Sequence, residues 1–201
     1  MKTKNLIHAG IDIPIVFWLT TIISGFILGN YNHLSRMVSE LGALGTKTQT
    51  FFSIGLVLCA ILSILFIIGL YKTCKKIGLN TIPVFFILSY TISIAGAGIF
   101  PLPLRLHLIM GMPSILLILS PITSLLFWKK ESQIKYIKQM SIICLLIMSL
   151  GFLAFSPDIL SNYAGLKQRF FHIGWSIWFI YLSYSFTELL KEKEKIKQDL
   201  R

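Results

Sequence analysis

TFFSIGLVLCAILSILFIIGLY, residues 50–71, runs for about six helical turns without one charged side chain. A helix needs ~20 apolar residues to cross ~30 Å of hydrocarbon, and this run supplies them. Backbone polar groups in lipid must be satisfied within the segment or in a closed barrel. The run shows none of the alternation of a barrel strand, so it reads as a membrane helix. Five more apolar runs of similar kind lie at 9–29, 81–100, 106–128, 139–156 and 169–190, the fifth in chain order being the shortest. The expectation is an all-α fold, one domain over 1–201 forming an integral membrane bundle of six transmembrane helices.

Composition agrees. Of 201 residues, 55% are hydrophobic and 13% charged, and the mean hydropathy is +0.76, which does not describe a soluble domain. Lys2 and Lys4 precede the first run as they would in a signal peptide. Its apolar part is too long, however, and no small-x-small site follows, so it reads as a retained first span. Cys59 and Cys144 fall inside spans and Cys74 just beyond one, which suits packing better than a disulfide or thiolate metal site.

The basic residues fix an expected orientation. Lys2 and Lys4, then Lys72, Lys75 and Lys76, then Lys129, Lys130, Lys135 and Lys138, and finally the charged tail 191–201 alternate along the chain with connections that hold only Arg36, Lys47, Arg105, Lys167 and Arg169. The positive-inside rule then places both termini in the cytoplasm of a multi-pass cell-membrane protein. The net charge of +11 is absorbed by lysines that meet anionic headgroups, and nucleic acid is not an expected partner. The tail KEKEKIKQDLR reads as a solvated extension of the last helix with i,i+4 pairs.

Polarity concentrates in the opposite connections. NYNHLSRMVSELGALGTKTQ, residues 30–49, places Leu34, Met37, Val38 and Leu41 on one side of a helical wheel and His33, Ser35, Arg36, Ser39 and Glu40 on the other. A short amphipathic interfacial helix between spans 1 and 2 is expected, ending at Gly42 and Gly45, with an Arg36/Glu40 i,i+4 pair. Thr46 to Gln49 has the T-x-x-Q form of a capping box before the second span, and Asn80 precedes the third, with Pro83 in its first turn. Gly25 and Gly29 form a G-x-x-x-G, read as a packing face within the bundle. FPLPLRLH brings Arg105 and His107 to the start of the fourth span. SPDILSNYAGLKQRFFH brings Asp158, Gln168, Arg169 and His172 to the sixth, where Arg169, His172, Ser176 and Ser183 descend as one polar stripe. Ionisable groups at membrane depth are costly and default to a functional hypothesis.

Taken together, YNHLSRMVSELGA after the first span, FP followed by a His, and GLKQR leading into a Trp-containing last span resemble the prokaryotic six-span family catalogued as domain of unknown function 998. The S-E-L-G-A box at Ser39–Ala43 and the G-x-x-Q-R box at Gly165–Arg169 carry the resemblance. It implies an integral membrane protein of uncharacterised role with its polar boxes opposite the basic loops. Members often carry an acid shortly after the FP, where this chain has Leu104 and Arg105.

Three functions fit the residues. The preferred one is an outward-facing polar pocket that binds or handles an anionic lipid headgroup or small anion, with His33, Arg36, Arg105, Gln168 and Arg169 as ligand-binding residues, because arginine forks suit phosphate and carboxylate. A membrane hydrolase or lipid-headgroup transferase would use His107 or His172 as acid or base, Glu40 as partner and Ser39 as nucleophile. A structural or regulatory subunit would use the same groups to pin loops. No H-x-x-x-H or H-E-x-x-H spacing occurs, so no metal is expected, and no cofactor. Membrane lipids are the expected partners. Transport is weakened because no matching interrupted segments are evident in the two halves.

Overall fold

A computed structural model describes residues 2–128 and 134–199; Lys129 and Lys130 of the lysine-rich connection and Arg201 of the tail lie outside the described residues. The described residues are helical, with no strand among them. The first apolar run is α1 (Thr3–Leu28) and the second α2 (Gln49–Ile77). The third is divided at Phe86 into α3 (Ile82–Phe85) and α4 (Ile87–Ile99). The fourth starts as α5 (Arg105–Gly111), tightens to a 3-10 helix over Met112–Ile118 and continues as α6 (Leu119–Phe127). The fifth is α7 (Ile137–Leu150) followed by a 3-10 turn, Gly151–Phe155. The last is α8 (Ala164–Asp199), 36 residues long.

Among the described residues, five helical stretches are long and apolar enough to cross a membrane: Thr3–Leu28, Gln49–Ile77, Ile82–Ile99, Arg105–Phe127 and Ile137–Phe155. α8 is not among them, and its packing gives the reason. Trp175, Trp178, Phe179, Leu182 and Phe186 are fully buried, because one side of α8 packs against α1 and α7. A helix face covered by its neighbours tolerates Trp, Tyr and Ser that lower its hydropathy, provided their polar atoms are bonded. They are: Trp178 Nε1 donates to Ser120 Oγ at 3.0 Å, Trp18 Nε1 to Ser176 Oγ at 3.1 Å, and Ser183 Oγ to the Ile7 carbonyl at 2.8 Å. The outer faces of the other helices show the converse. Phe26 is 81% exposed and Ile54 64%, an apolar surface that suits lipid and would aggregate in water.

Glycines bring α1 and α2 close. A Cβ on Gly69 would meet the Ile7 backbone nitrogen, and one on Gly10 the Phe66 ring, the small-residue approach that lets membrane helices gain dispersion contacts. The third and fourth apolar runs are joined to each other through a hydroxyl, Ser120 Oγ donating to the Pro83 carbonyl at 2.8 Å.

Three local expectations are corrected. Residues 30–48 do not form an amphipathic helix. Asn32 Oδ1 accepts the N–H groups of Leu34 and Ser35, turning the chain at 33–35, and only Val38–Gly42 winds, as a 3-10 helix. An Asn side chain that captures two backbone donors competes with the helix for them. The T-x-x-Q box is also used differently: Gln49 opens α2 and its Oε1 accepts from Gly45 N–H, while Thr46 Oγ1 donates to the Ala43 and Leu41 carbonyls. Of the G-x-x-x-G, Gly25 seats the His33 ring and Gly29 ends α1 at φ 84°.

Candidate functional site

Three connections, residues 29–48, 100–104 and 156–163, meet at one end of the bundle. Leu44 N–H donates to the Leu102 carbonyl and Leu166 N–H to the Leu34 carbonyl, each at 2.8 Å. The lysine-bearing connections gather at the other end, where Trp128 Nε1 donates to the Asn80 carbonyl.

Arg169 is the centre of the first end. It is 7% exposed, and four of the five N–H donors of a guanidinium are used. Nη1 donates to the Arg36 and Gly165 carbonyls and Nη2 to Tyr31 Oη and His33 Nδ1, all at 3.0 Å. No carboxylate pairs with it among the described residues. The buried charge is stabilised by carbonyl dipoles, a phenol and an imidazole, through charge-assisted hydrogen bonds. Burial raises the Tyr31 phenol above its usual pKa, and the bond from Arg169 opposes that shift. Tyr31 Oη in turn donates towards the Met37 carbonyl at 2.8 Å.

The G-L-K-Q-R segment holds the neighbouring connections through several of its residues. A Cβ on Gly165 would collide with the Arg36 and His33 carbonyls, so only glycine admits that loop. Lys167, 2% exposed, donates to the Ser156 and Ile159 carbonyls at 2.9 and 2.8 Å. Gln168 Oε1 accepts Val38 N–H at 2.7 Å. In S-E-L-G-A, Glu40 is fully committed, Oε2 to Arg36 Nε at 2.8 Å and Oε1 to Met37 N–H at 2.7 Å. That ion pair is partly exposed and contributes only a few tenths of a kcal/mol. Arg105 is exposed and makes no hydrogen bond or ion pair with the described residues.

His33 gives this clasp a pH dependence. Because Nδ1 accepts from Arg169, the ring is neutral. Burial lowers its pKa below 6.5, and the Arg169 charge lowers it further. A depressed folded pKa means that the contribution is complete above about pH 6.5 and is lost as pH falls through the folded value. The melting temperature in detergent is therefore expected to drop between pH 7.5 and 5, and His33→Gln, whose amide oxygen still accepts, should flatten that drop. Equal pH profiles for the two proteins would exclude His33 as the cause.

Beneath the clasp lies a cavity of about 450 Å³, mostly apolar and within the size range of small-molecule sites. Ser39, His107, Gln168 and His172 line it; His33, Arg36, Glu40, Arg105 and Arg169 do not. The expected site residues thus divide into a clasp and a cavity wall. His107 Nδ1 donates to the Phe100 carbonyl at 2.8 Å, which leaves Nε2 as an acceptor. His172 Nδ1 accepts Trp175 Nε1–H at 3.0 Å, so this imidazole is neutral and carries its proton on Nε2. That Nε2 and Tyr90 Oη are buried without a partner, a cost of about 1–3 kcal/mol for each group. No hydrogen bond aligns Ser39 or Glu40 with either histidine among the described residues.

Ser114 belongs with His107 and Gly111 to a polar stripe legible on the fourth apolar run, and all three line the cavity. Tyr90 and Ser93 escaped the sequence reading as wall residues, because they sit on a face of α4 that looks like ordinary helix packing.

Over residues 13–185 the chain matches the family described as proteins of unknown function, DUF998. The chain belongs to the DUF998 family. No curated protein and no solved structure matches it. Both polar boxes of this DUF998 member, Ser39–Ala43 and Gly165–Arg169, lie in or against the clasp, and each also sends one side chain, Ser39 and Gln168, to the cavity wall.

Proposed function

We propose that this DUF998 protein is a six-span membrane protein, with both termini cytoplasmic, that binds an amphipathic, lipid-like molecule in the cavity beneath the clasp. The observation that carries this reading is the lining, a largely apolar chamber inside membrane-type helices with a few polar groups at its clasp end. Ligand sites of this kind take their affinity from apolar walls and their orientation from a few placed donors and acceptors. Of the arginine forks that would select an anion, Arg169 is engaged by the clasp and Arg36 by Glu40, and Arg105 is exposed and does not line the cavity. The favoured polar end of the ligand is therefore uncharged, met by Ser39, His107 and Gln168. α8 serves as the sixth span, packed against α1 and α7 with Ile180 and Tyr184 left exposed, and the lysine-rich end faces the cytoplasm by the positive-inside rule.

Native mass spectrometry of protein purified in mild detergent tests this. The wild type is expected to retain a lipid-mass adduct near one per chain, and Ala97→Trp, which fills the chamber from α4, should lack it. Equal retention by a folded Ala97→Trp would remove the reading.

A further inference from the structure

The clasp closes one end of the chamber, so the route of entry must lie elsewhere. Two walls differ from the rest. One is α5 with the 3-10 stretch Met112–Ile118, and the other is the 3-10 turn Gly151–Phe155. α5 has no buried residue and leans mainly on α4 and its own continuation. Leu108 is 66% exposed and Met112 59%, and across the chamber Phe155 is 66% exposed, yet all three also line the cavity. A side chain that faces both lipid and cavity marks a wall one side chain thick.

Both walls leave α-helical geometry beside the chamber. At the first, Pro113 has no N–H to offer the Ile109 carbonyl, and Ser93 and Ser114 both donate to the Gly111 carbonyl, at 3.1 and 2.7 Å. At the second, Gly151 packs directly on the Phe171 backbone, while Phe152 and Phe155 stack with ring centroids 6.3 Å apart. The seam is thus formed by Leu108, Met112 and Ile115 against Phe152 and Phe155. These are flexible or aromatic side chains that can part without breaking a backbone hydrogen bond. His172 and Tyr90 line the far wall with their ring carbons, while His172 Nε2 and Tyr90 Oη themselves are closed off from the chamber.

We infer that the chamber opens sideways to the bilayer between residues 108–115 and 152–155, and that it takes an acyl lipid whose chain enters through this seam. The ester oxygens of the lipid are the acceptors for the Ser39 hydroxyl and the Gln168 amide N–H. The inference rests on the reading of the cavity as an amphiphile site.

The test uses full-length protein reconstituted in phosphatidylcholine vesicles that contain a phospholipid with a diazirine midway along one acyl chain. After illumination, cross-links are mapped by peptide mass spectrometry. Label is expected on the inner wall, residues 90–97 and 171–175, as well as on the seam. Leu108→Trp and Ala154→Trp, which narrow the seam from opposite sides, should each cut inner-wall label at least fivefold and leave label on the lipid-facing side of α2, residues 54–61, unchanged. Inner-wall label from a water-soluble short-chain diazirine fatty acid, but none from the bilayer phospholipid, would overturn sideways entry and leave the amphiphile site standing. Inner-wall label from neither probe would overturn both. Undiminished inner-wall label in both folded tryptophan variants would place the entrance elsewhere.

Discussion

Arg169→Ala is expected to lower the unfolding free energy by about 3 kcal/mol, a fall in melting temperature of about 6–12 °C for a domain of this size. The effect is large because one side chain serves partners from two segments. Its removal leaves His33 Nδ1 without a donor and takes one bond each from the Arg36 and Gly165 carbonyls and the Tyr31 hydroxyl, in a largely buried place. Arg169→Lys should recover less than half of the loss, since one ammonium cannot reach four acceptors held around a planar fork. Thermal denaturation in detergent, followed by tryptophan fluorescence, measures both. An Arg169→Ala protein of unchanged stability that had lost its bound lipid would show that the guanidinium serves a ligand and not the clasp.

The second large effect comes from a single methyl group. Gly165→Ala puts a Cβ against the Arg36 and His33 carbonyls and within 2.7 Å of the Arg169 guanidinium. Two of these three neighbours are backbone oxygens that cannot rotate aside. A loss of about 3 kcal/mol is expected, at the upper end of overpacking costs. Because the methyl and the guanidinium act on one loop, the double variant Gly165→Ala/Arg169→Ala should lose clearly less than the sum of the single losses. Additive losses would mean that the loop is held by other contacts.

The apolar runs were legible because lipid imposes a one-dimensional rule. The uncharged stretch 50–71 became α2 with only its lysine-bearing last turns added, where Lys75 and Lys76 face the carbonyl end of the helix. The meeting of residues 29–48, 100–104 and 156–163 was also readable, since the basic residues sort the connections into two groups. The roles of the arginines were not. A sequence advertises ion pairs, because both partners are charged letters, but the partners of Arg169 are a phenol, an imidazole and two backbone carbonyls, and every residue type carries a backbone carbonyl. The same blindness made Lys167 look like a loop charge, although it is buried and bonded to two carbonyls. The cavity had no signal either. It arises where two helices depart from α geometry, at Pro113 and Gly151, and a single proline in an apolar run does not say whether the helix kinks, tightens or ends.

The clasp has a bearing on ionic strength. A surface ion pair such as Arg36–Glu40 weakens as salt rises, because mobile ions screen each partner. Arg169 and Lys167 are instead solvated by fixed dipoles from the chain itself, out of reach of counterions. The loops over the chamber therefore keep one shape in dilute and in concentrated electrolyte.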